Sequence, residues 1–250
     1  MHIPVHKWLL AFRLMTSSKK GVSAHQIHRT LGITYKSAWF LMHRIREAMT
    51  DDGAPLGGEG KTVESDETFY GWKGGSPKWI LYPEFGWQRS MSTSDRMTVV
   101  TLIERGGSAR SVKVEDLKAS TLRVTVLNNA DTKSKLMTDE RQTYRGIGRR
   151  FAGNGSVNHG AEEWVRGEAH VNSAEGFFSI FKRGMVGTYQ HCGEQHLHRY
   201  LTEFDFRYSN RVKLGVDDTE RTRRAIAGAE GKRLTYRRTR GQAAAEEIPF

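Results

Sequence analysis

Residues 97–139, MTVVTLIERGGSARSVKVEDLKASTLRVTVLNNADTKSKLMTD, hold the pattern that decides the fold. Two strand-like runs, Met97–Glu104 and Ala109–Val114, flank Arg105-Gly106-Gly107-Ser108, which predicts a hairpin turn. A helix is expected over Leu117–Asn128, and a short strand, Lys135–Thr138, then runs straight into Asp139. Upstream, Thr62–Tyr70 reads as a strand broken by Gly71, and Lys78–Trp87 as an aromatic-rich, irregular stretch. Downstream, helical patterns cover 140–150, 172–183 and 194–211. Strand hairpins followed by alternating helix and strand predict a mixed α/β sheet domain.

The chain ahead of this domain has another texture. Asp51–Gly60, DDGAPLGGEG, is a linker-like run of turn formers and acids. Before it, Lys7–Met15 forms a short apolar helix, and Ser23-Ala24-His25-Gln26 is a capping box. The helix it opens ends near Thr30, Gly32 falls at a C-cap-like position, and Thr34 caps a second helix, Tyr35–Met49. Its apolar positions Ala38, Met42, Ile45 and Met49 recur four, three and four residues apart. Helix, glycine turn and longer helix make a helix-turn-helix layout, with Tyr35, Lys36, Ser37, Arg44 and Arg46 as candidate DNA contacts. His25, His28 and His43 are read as surface or phosphate contacts; a plain helical hairpin with a basic surface is the alternative. The expected organisation is a small all-α DNA-binding domain at 1–52, a linker at 53–60, the sheet domain at 61–212, and a basic, partly disordered tail at 213–250.

Composition narrows the function classes. With 250 residues, 37% hydrophobic and 10% aromatic, the chain can fill a core, which excludes wholesale disorder. No apolar run approaches the roughly 18–20 residues that span a bilayer, so a membrane protein is not expected. Cys192 is the only cysteine, which excludes disulfides within the chain and cysteine-rich zinc sites, and a cytoplasmic location is the default. Gly146-Ile147-Gly148 is too short for a phosphate-binding fingerprint, so no nucleotide cofactor is expected. The net charge is +11, unevenly spread: residues 1–50 carry +7, residues 199–240 carry +6, and residues 51–140 carry −2. Basic ends around a slightly acidic middle suit a polyanion partner with a cation-binding centre between them.

The candidate chemistry lies in acids. Asp66 and Asp139 each sit at a strand end among apolar neighbours, where a carboxylate is expensive unless it is paired or binds metal. In His170–Gly184, Ala174, Phe177, Phe178 and Phe181 form one apolar helical face, while Asn172, Glu175, Ser179 and Lys182 form a polar one. Glu175 and Lys182 are seven residues apart and point the same way, a carboxylate for a cation beside a lysine for a phosphate. Asn172-Ser173-Ala174-Glu175 is also a capping box, which needs no catalysis. Taken together, Asp66, Asp139 and Glu175 supply three hard oxygen ligands, suited to two Mg²⁺ or Mn²⁺ ions and an in-line displacement at phosphorus.

With these residues in place, the chain resembles the DDE transposases of bacterial insertion sequences, specifically the ISXO-like group with an RNase H-like catalytic domain. The resemblance runs over roughly residues 5–212. It is carried by GVSAHQIHRTLGITYKSAWFLMHRIREAM, VESDETFYGWKG, TDERQTYRGIG and the long segment from VNHGAEEWVRGEAHVNSAEGFFSIFKRG to RYSNR. It implies an RNase H-like mixed sheet flanked by helices, preceded by a helix-turn-helix. It also implies Asp66 and Asp139 as the first two metal-binding acids, and Lys182 as the lysine after the third catalytic residue. Either Glu175 or Asn172 fills that third position, and Arg183 adds a DNA contact. The implied partners are duplex DNA, as terminal repeats and target, and at least a second copy of the chain; the implied setting is the bacterial cytoplasm, at the nucleoid. Members of the group often carry a cysteine-rich zinc ribbon ahead of the helix-turn-helix, and no cysteine precedes Cys192. The alternative expectation is therefore a non-catalytic DNA-binding regulator or an inactive, truncated transposase. His159 and His170 are expected to line the site.

Overall fold

Three helices open the chain, and side-chain caps set where the second and third begin. In the computed structural model, which describes residues 3–51, 53–90, 92–139, 142–157 and 170–233, they are α1 (Val5–Ser17), α2 (Ala24–Leu31) and α3 (Tyr35–Ala48). Ser23 Oγ accepts from the Gln26 amide at 3.1 Å to start α2, and Thr34 Oγ1 accepts from the Ser37 amide at 3.3 Å to start α3. Between them Gly32 takes a left-handed φ of 58° and donates its N–H to the His28 carbonyl, closing α2.

The described residues form two compact units, one drawn from 1–51, 183–191 and 195–250, the other from 52–182 and 192–194. The second unit contains β1 (Leu56–Gly57), β2 (Thr62–Tyr70), β3 (Trp79–Tyr82), β4 (Gly86–Arg89), β5 (Met97–Glu104) and β6 (Ala109–Val114). After these come α4 (Ala119–Asn129), β7 (Ala130–Asp131), β8 (Lys135–Asp139), α5 (Arg145–Gly148) and β9 (Gly153–Val157). The last element, α6 (Asn172–Gly184), ends in the first unit. The main sheet runs β6-β5-β2-β8-β9, with β5 antiparallel to β2 and β6, and β2, β8 and β9 parallel. Counted along the chain this is 3-2-1-4-5 with the second strand reversed, the RNase H-like order. The expectation of such a sheet holds.

Side-chain alternation along β2 gives the sheet its two faces. Val63 packs with Val100, Leu102, Leu122, Val126 and Leu136 into a core under α4 and α5. Tyr70, on the other face, meets Phe181 of α6 edge to face at 5.8 Å, and Met137 packs on Val171 just ahead of α6. Lys78–Trp87 is not irregular: β3 and β4 pair as an antiparallel hairpin that turns over 83–85 and re-enters the ladder at Gly86, φ 67°. Its apolar residues point to both faces and lie exposed, so no alternation marks the strands.

The first unit is completed by α7 (Leu197–Ser209) and α8 (Asp218–Ala227). This revises the expected boundaries. Residues 195–212 pack with the N-terminal helices rather than the sheet, and 213–233 include a capped helix whose Ala225 is fully buried in the core of Phe12, Met15, Ile27, Leu41, Met42 and Ile45. Residues 234–250 lie outside the described residues. Gly21, φ 94°, is required here, because a Cβ would stand 2.0 Å from the Tyr189 hydroxyl. No helix of the described residues is long and apolar enough to cross a membrane.

Two expected surface residues of α3 are interior. Arg46, read as a DNA contact, is 1% exposed: its Nε donates to Glu203 Oε2 at 2.7 Å, and its guanidinium lies 4.0 Å from the Tyr200 ring centroid. Periodicity disclosed one buried stripe of α3, but α7 covers a second. His43 is also fully buried, against the rings of Trp39, His196 and Tyr200. Burial, then the charges of Arg46 and Arg199, push its imidazole down to about 2, so it is neutral in the fold.

The unfolded chain protonates His43 near its ordinary value of 6.5, so only the unfolded state gains that proton at mild acidity. The unit is expected to hold its full stability above pH 6.5 and to lose about 1.4 kcal/mol per unit as the pH falls below it. Urea unfolding at pH 8 and pH 5 checks this, and in His43→Phe the pH slope should shrink by about one proton.

Candidate active site

β2 and β8 lie side by side and parallel, with Thr62 opposite Lys135 through Ser65 opposite Thr138. One further step along both strands brings Asp66 level with Asp139. Residues level on adjacent parallel strands point to the same face, with the strands about 4.8 Å apart. One carboxylate oxygen each from Asp66, Glu67 and Asp139 lies within 4.8 Å of the other two, and all three residues are half-buried. Among the described residues this is the one group of acids, histidines and cysteines so arranged.

Glu67 joins from the other side of the strand. Alternation turns it with Ser65 toward Tyr144, whose hydroxyl donates to Glu67 Oε2 at 3.0 Å and accepts from Ser65 Oγ at 3.4 Å. The Glu67 amide donates to Asp66 Oδ1 at 2.8 Å, tying the two acids together. Tyr144 is 3% exposed; burial, then the charge on Glu67, holds its phenol well above 10, so it remains a proton donor.

Glu64 anchors the helix that faces this cluster. Two residues before Asp66, it shares the same face of β2 and is fully buried. Its Oε2 accepts from the Ser173 and Ala174 amides at 2.9 and 3.2 Å, and its Oε1 from Ser173 Oγ at 3.0 Å and Arg105 Nε at 2.6 Å. A carboxylate on the free N–H groups of a first turn satisfies the helix end and its dipole. The first turn of α6 therefore takes its cap from β2. The Asn172–Glu175 capping box does not form, because Asn172 is already helical and the Glu175 amide bonds the Val171 carbonyl.

Asn172, Glu175, Lys182 and Arg183 are all exposed on α6, and its phenylalanines are buried, as the sequence predicts. Glu175 is not a member of the close carboxylate group. His170 offers its carbonyl to Arg105 Nη2 at 2.8 Å; His159 lies outside the described residues. In the other unit Tyr35, Lys36, Ser37 and Arg44 are exposed or half-exposed, and Arg44 lies over the Phe40 ring at 5.1 Å. Glu67 was missed because neighbouring strand residues face apart, and its place beside the aspartates rests on the Tyr144 hydroxyl, 77 residues away in sequence.

Three carboxylates this close repel one another and favour a cation between them. An all-oxygen donor set suits Mg²⁺ or Mn²⁺ rather than softer metals. Fold and site together define an RNase H-like domain with acids on its first and fourth strands. The chain belongs to the ISXO2-like transposase domain family, whose model matches residues 55–209. No curated protein sequence matches it. Among solved structures it is similar to a pre-cleavage Mos1 transpososome, at 11% identity and TM-score 0.33, covering 85% of this chain and 75% of that one. It is also similar to the mariner Mos1 paired end complex with Mg, at 12% identity and TM-score 0.29, with the same coverage.

Proposed function

We propose that this transposase cuts DNA at the inverted-repeat ends of its insertion sequence and joins the freed 3′-OH ends to target DNA. The observation that carries the reading is the register of β2 and β8, which sets Asp66 beside Asp139 on one face. Divalent cations held there, Mg²⁺ or Mn²⁺ and two in number, would activate the attacking oxygen and stabilise the leaving one. Asp66 and Asp139 would hold the cations, with Glu67, fixed by the Tyr144 hydroxyl, as a third carboxylate within reach. Glu175 and Asn172, on the helix capped by Glu64, are the further candidates for the third arm. The helix α3 enters the major groove with Tyr35, Lys36, Ser37 and Arg44, and Arg183 adds a phosphate contact. Holding two ends together calls for a dimer or larger assembly, acting at the nucleoid in the cytoplasm.

The test is cleavage and joining of a labelled duplex carrying the element's own ends, in Mg²⁺, in Mn²⁺ and in chelator. Strand cutting that requires the cation supports the reading; DNA binding with no cutting in either metal overturns it in favour of a regulator. In the same assay Lys182→Ala should slow strand transfer about 10–100-fold, because a lysine two turns beyond Glu175 acts as a point charge on the flanking phosphates. Its melting temperature should not move, since an exposed helical charge contributes only tenths of a kcal/mol.

A further inference from the structure

The helical unit contains a cavity of about 530 Å³, well within the range of small-molecule sites. One wall is a single face of α3, where Tyr35, Trp39, Met42 and Arg46 recur along the helix. Facing it are the start of α2, from Ser23 to Arg29, and the segment Gly187–His191 that follows α6.

Three features suit a nucleotide. First, the wall is aromatic: Tyr35 is 45% exposed and stacks on His25 at 4.4 Å between centroids, and Tyr189 and Tyr200 lie deeper. Any base can stack on such rings, which is how single strands are held without sequence preference. Second, the lining contains no carboxylate, while Arg29 and Arg46 both reach it. Third, Arg46 is 1% exposed, and its Nη2 is buried with no hydrogen-bond partner among the described residues. Glu203 takes only its Nε, at 2.7 Å. A buried guanidinium N–H left unmade costs free energy, and an oxygen acceptor entering the cavity would recover it. The backbone adds a strained point: Gln190, in the lining, holds φ 60° and ψ −48°, a conformation that non-glycine residues adopt rarely and mostly at working sites.

We infer that this cavity takes one unpaired nucleotide of DNA, its base on the Tyr35 and Trp39 rings and its polar edge or phosphate on Arg46 and Arg29. The inference deepens the transposase reading, since an end cut and joined by this chain must be told from continuous duplex, and an extruded nucleotide marks such an end. It gives Tyr35, at the start of α3, an extrahelical nucleotide to hold while Lys36, Ser37 and Arg44 face the duplex, and it adds Arg29 to the DNA contacts.

The test reads binding alone, so it stands or falls separately from cleavage. The purified full chain is titrated with a duplex carrying one bulged nucleotide and with the same duplex fully paired. The bulged duplex should bind about tenfold more tightly, or about 1.4 kcal/mol. Tyr35→Ala and Arg29→Ala, both at exposed positions, should each reduce that preference to under about twofold while leaving the melting temperature in place. Competition by free nucleoside monophosphates, but not by inorganic phosphate at the same concentration, supports the stacked base. Equal affinity for the two duplexes, an undiminished preference in both variants, or full competition by phosphate alone would overturn it.

Discussion

Asp66→Asn is expected to lower cutting at the element's ends by at least about 10³-fold, a loss of about 4 kcal/mol from the transition state. The substitution keeps the size of the side chain and removes the charge, so the strand and its neighbours stay in place while the cation loses a ligand. Asp139→Asn should do the same, because the two residues are level on adjacent strands. A readout independent of activity separates metal loss from structural damage. Adding Mn²⁺ should raise the melting temperature of the native chain, since a ligand that binds only the folded state stabilises it. That shift should vanish in both variants, and in chelator they should melt no lower than the native chain, because each relieves repulsion among three carboxylates. Glu67→Gln and Glu175→Gln, measured in the same way, identify the third ligand: it is the one whose loss removes the Mn²⁺ shift. Native-rate cutting by Asp66→Asn would show that the chemistry lies elsewhere.

The second large effect is structural. Glu203 is fully buried, with Arg46, Arg207 and the Tyr189 hydroxyl all on its two oxygens. Burial pulls its carboxyl upward, but Arg207 and Arg46 outweigh that and hold it below the usual range. Removing one member of such a set leaves a buried charge uncompensated, which typically destabilises by about 3–5 kcal/mol. Arg46→Met should therefore lose about that much in urea unfolding, and Glu203→Ala at least as much, since it leaves two guanidiniums facing each other. Were Arg46 a surface contact to duplex DNA with no part in this core, its replacement would leave stability within about 0.5 kcal/mol. That outcome would restore the reading from the sequence.

What could be read in advance follows from how local each signal is. β2, β5 and β6 were legible to the residue, because their apolar and β-branched runs end at glycines, as at Gly71 and Gly106-Gly107. The caps of α2 and α3 were legible because Ser23 and Thr34 each act within three residues. β9, GNGSV, was not, since its residues are poor strand formers and it pairs only because β8 offers an open edge. The apolar stripe of α7 announced a buried face but not its partner, so its place with α3 was out of reach. The same holds for the site. Asp139 ends β8 as read, but Asp66 lies mid-strand in β2 rather than at a strand end. Its place beside Asp139, like Glu64 as the cap of α6 and Glu67 as a third carboxylate, depends on contacts between residues distant in sequence.

The helical unit is assembled from both sides of the sheet unit along the chain, with α1–α3 before it and α7 and α8 after it. A ribosome adds about 5–20 residues per second and releases the chain from its start. The strands and the acids they carry are thus complete while Arg46, long since made, still has no Glu203 to meet. A nascent chain finishes the carboxylate cluster before the helical core, which closes on α3 only when Ala225 has emerged. A fragment ending before Glu203 would therefore hold the three clustered acids while the charge on Arg46 stays without its carboxylate partner.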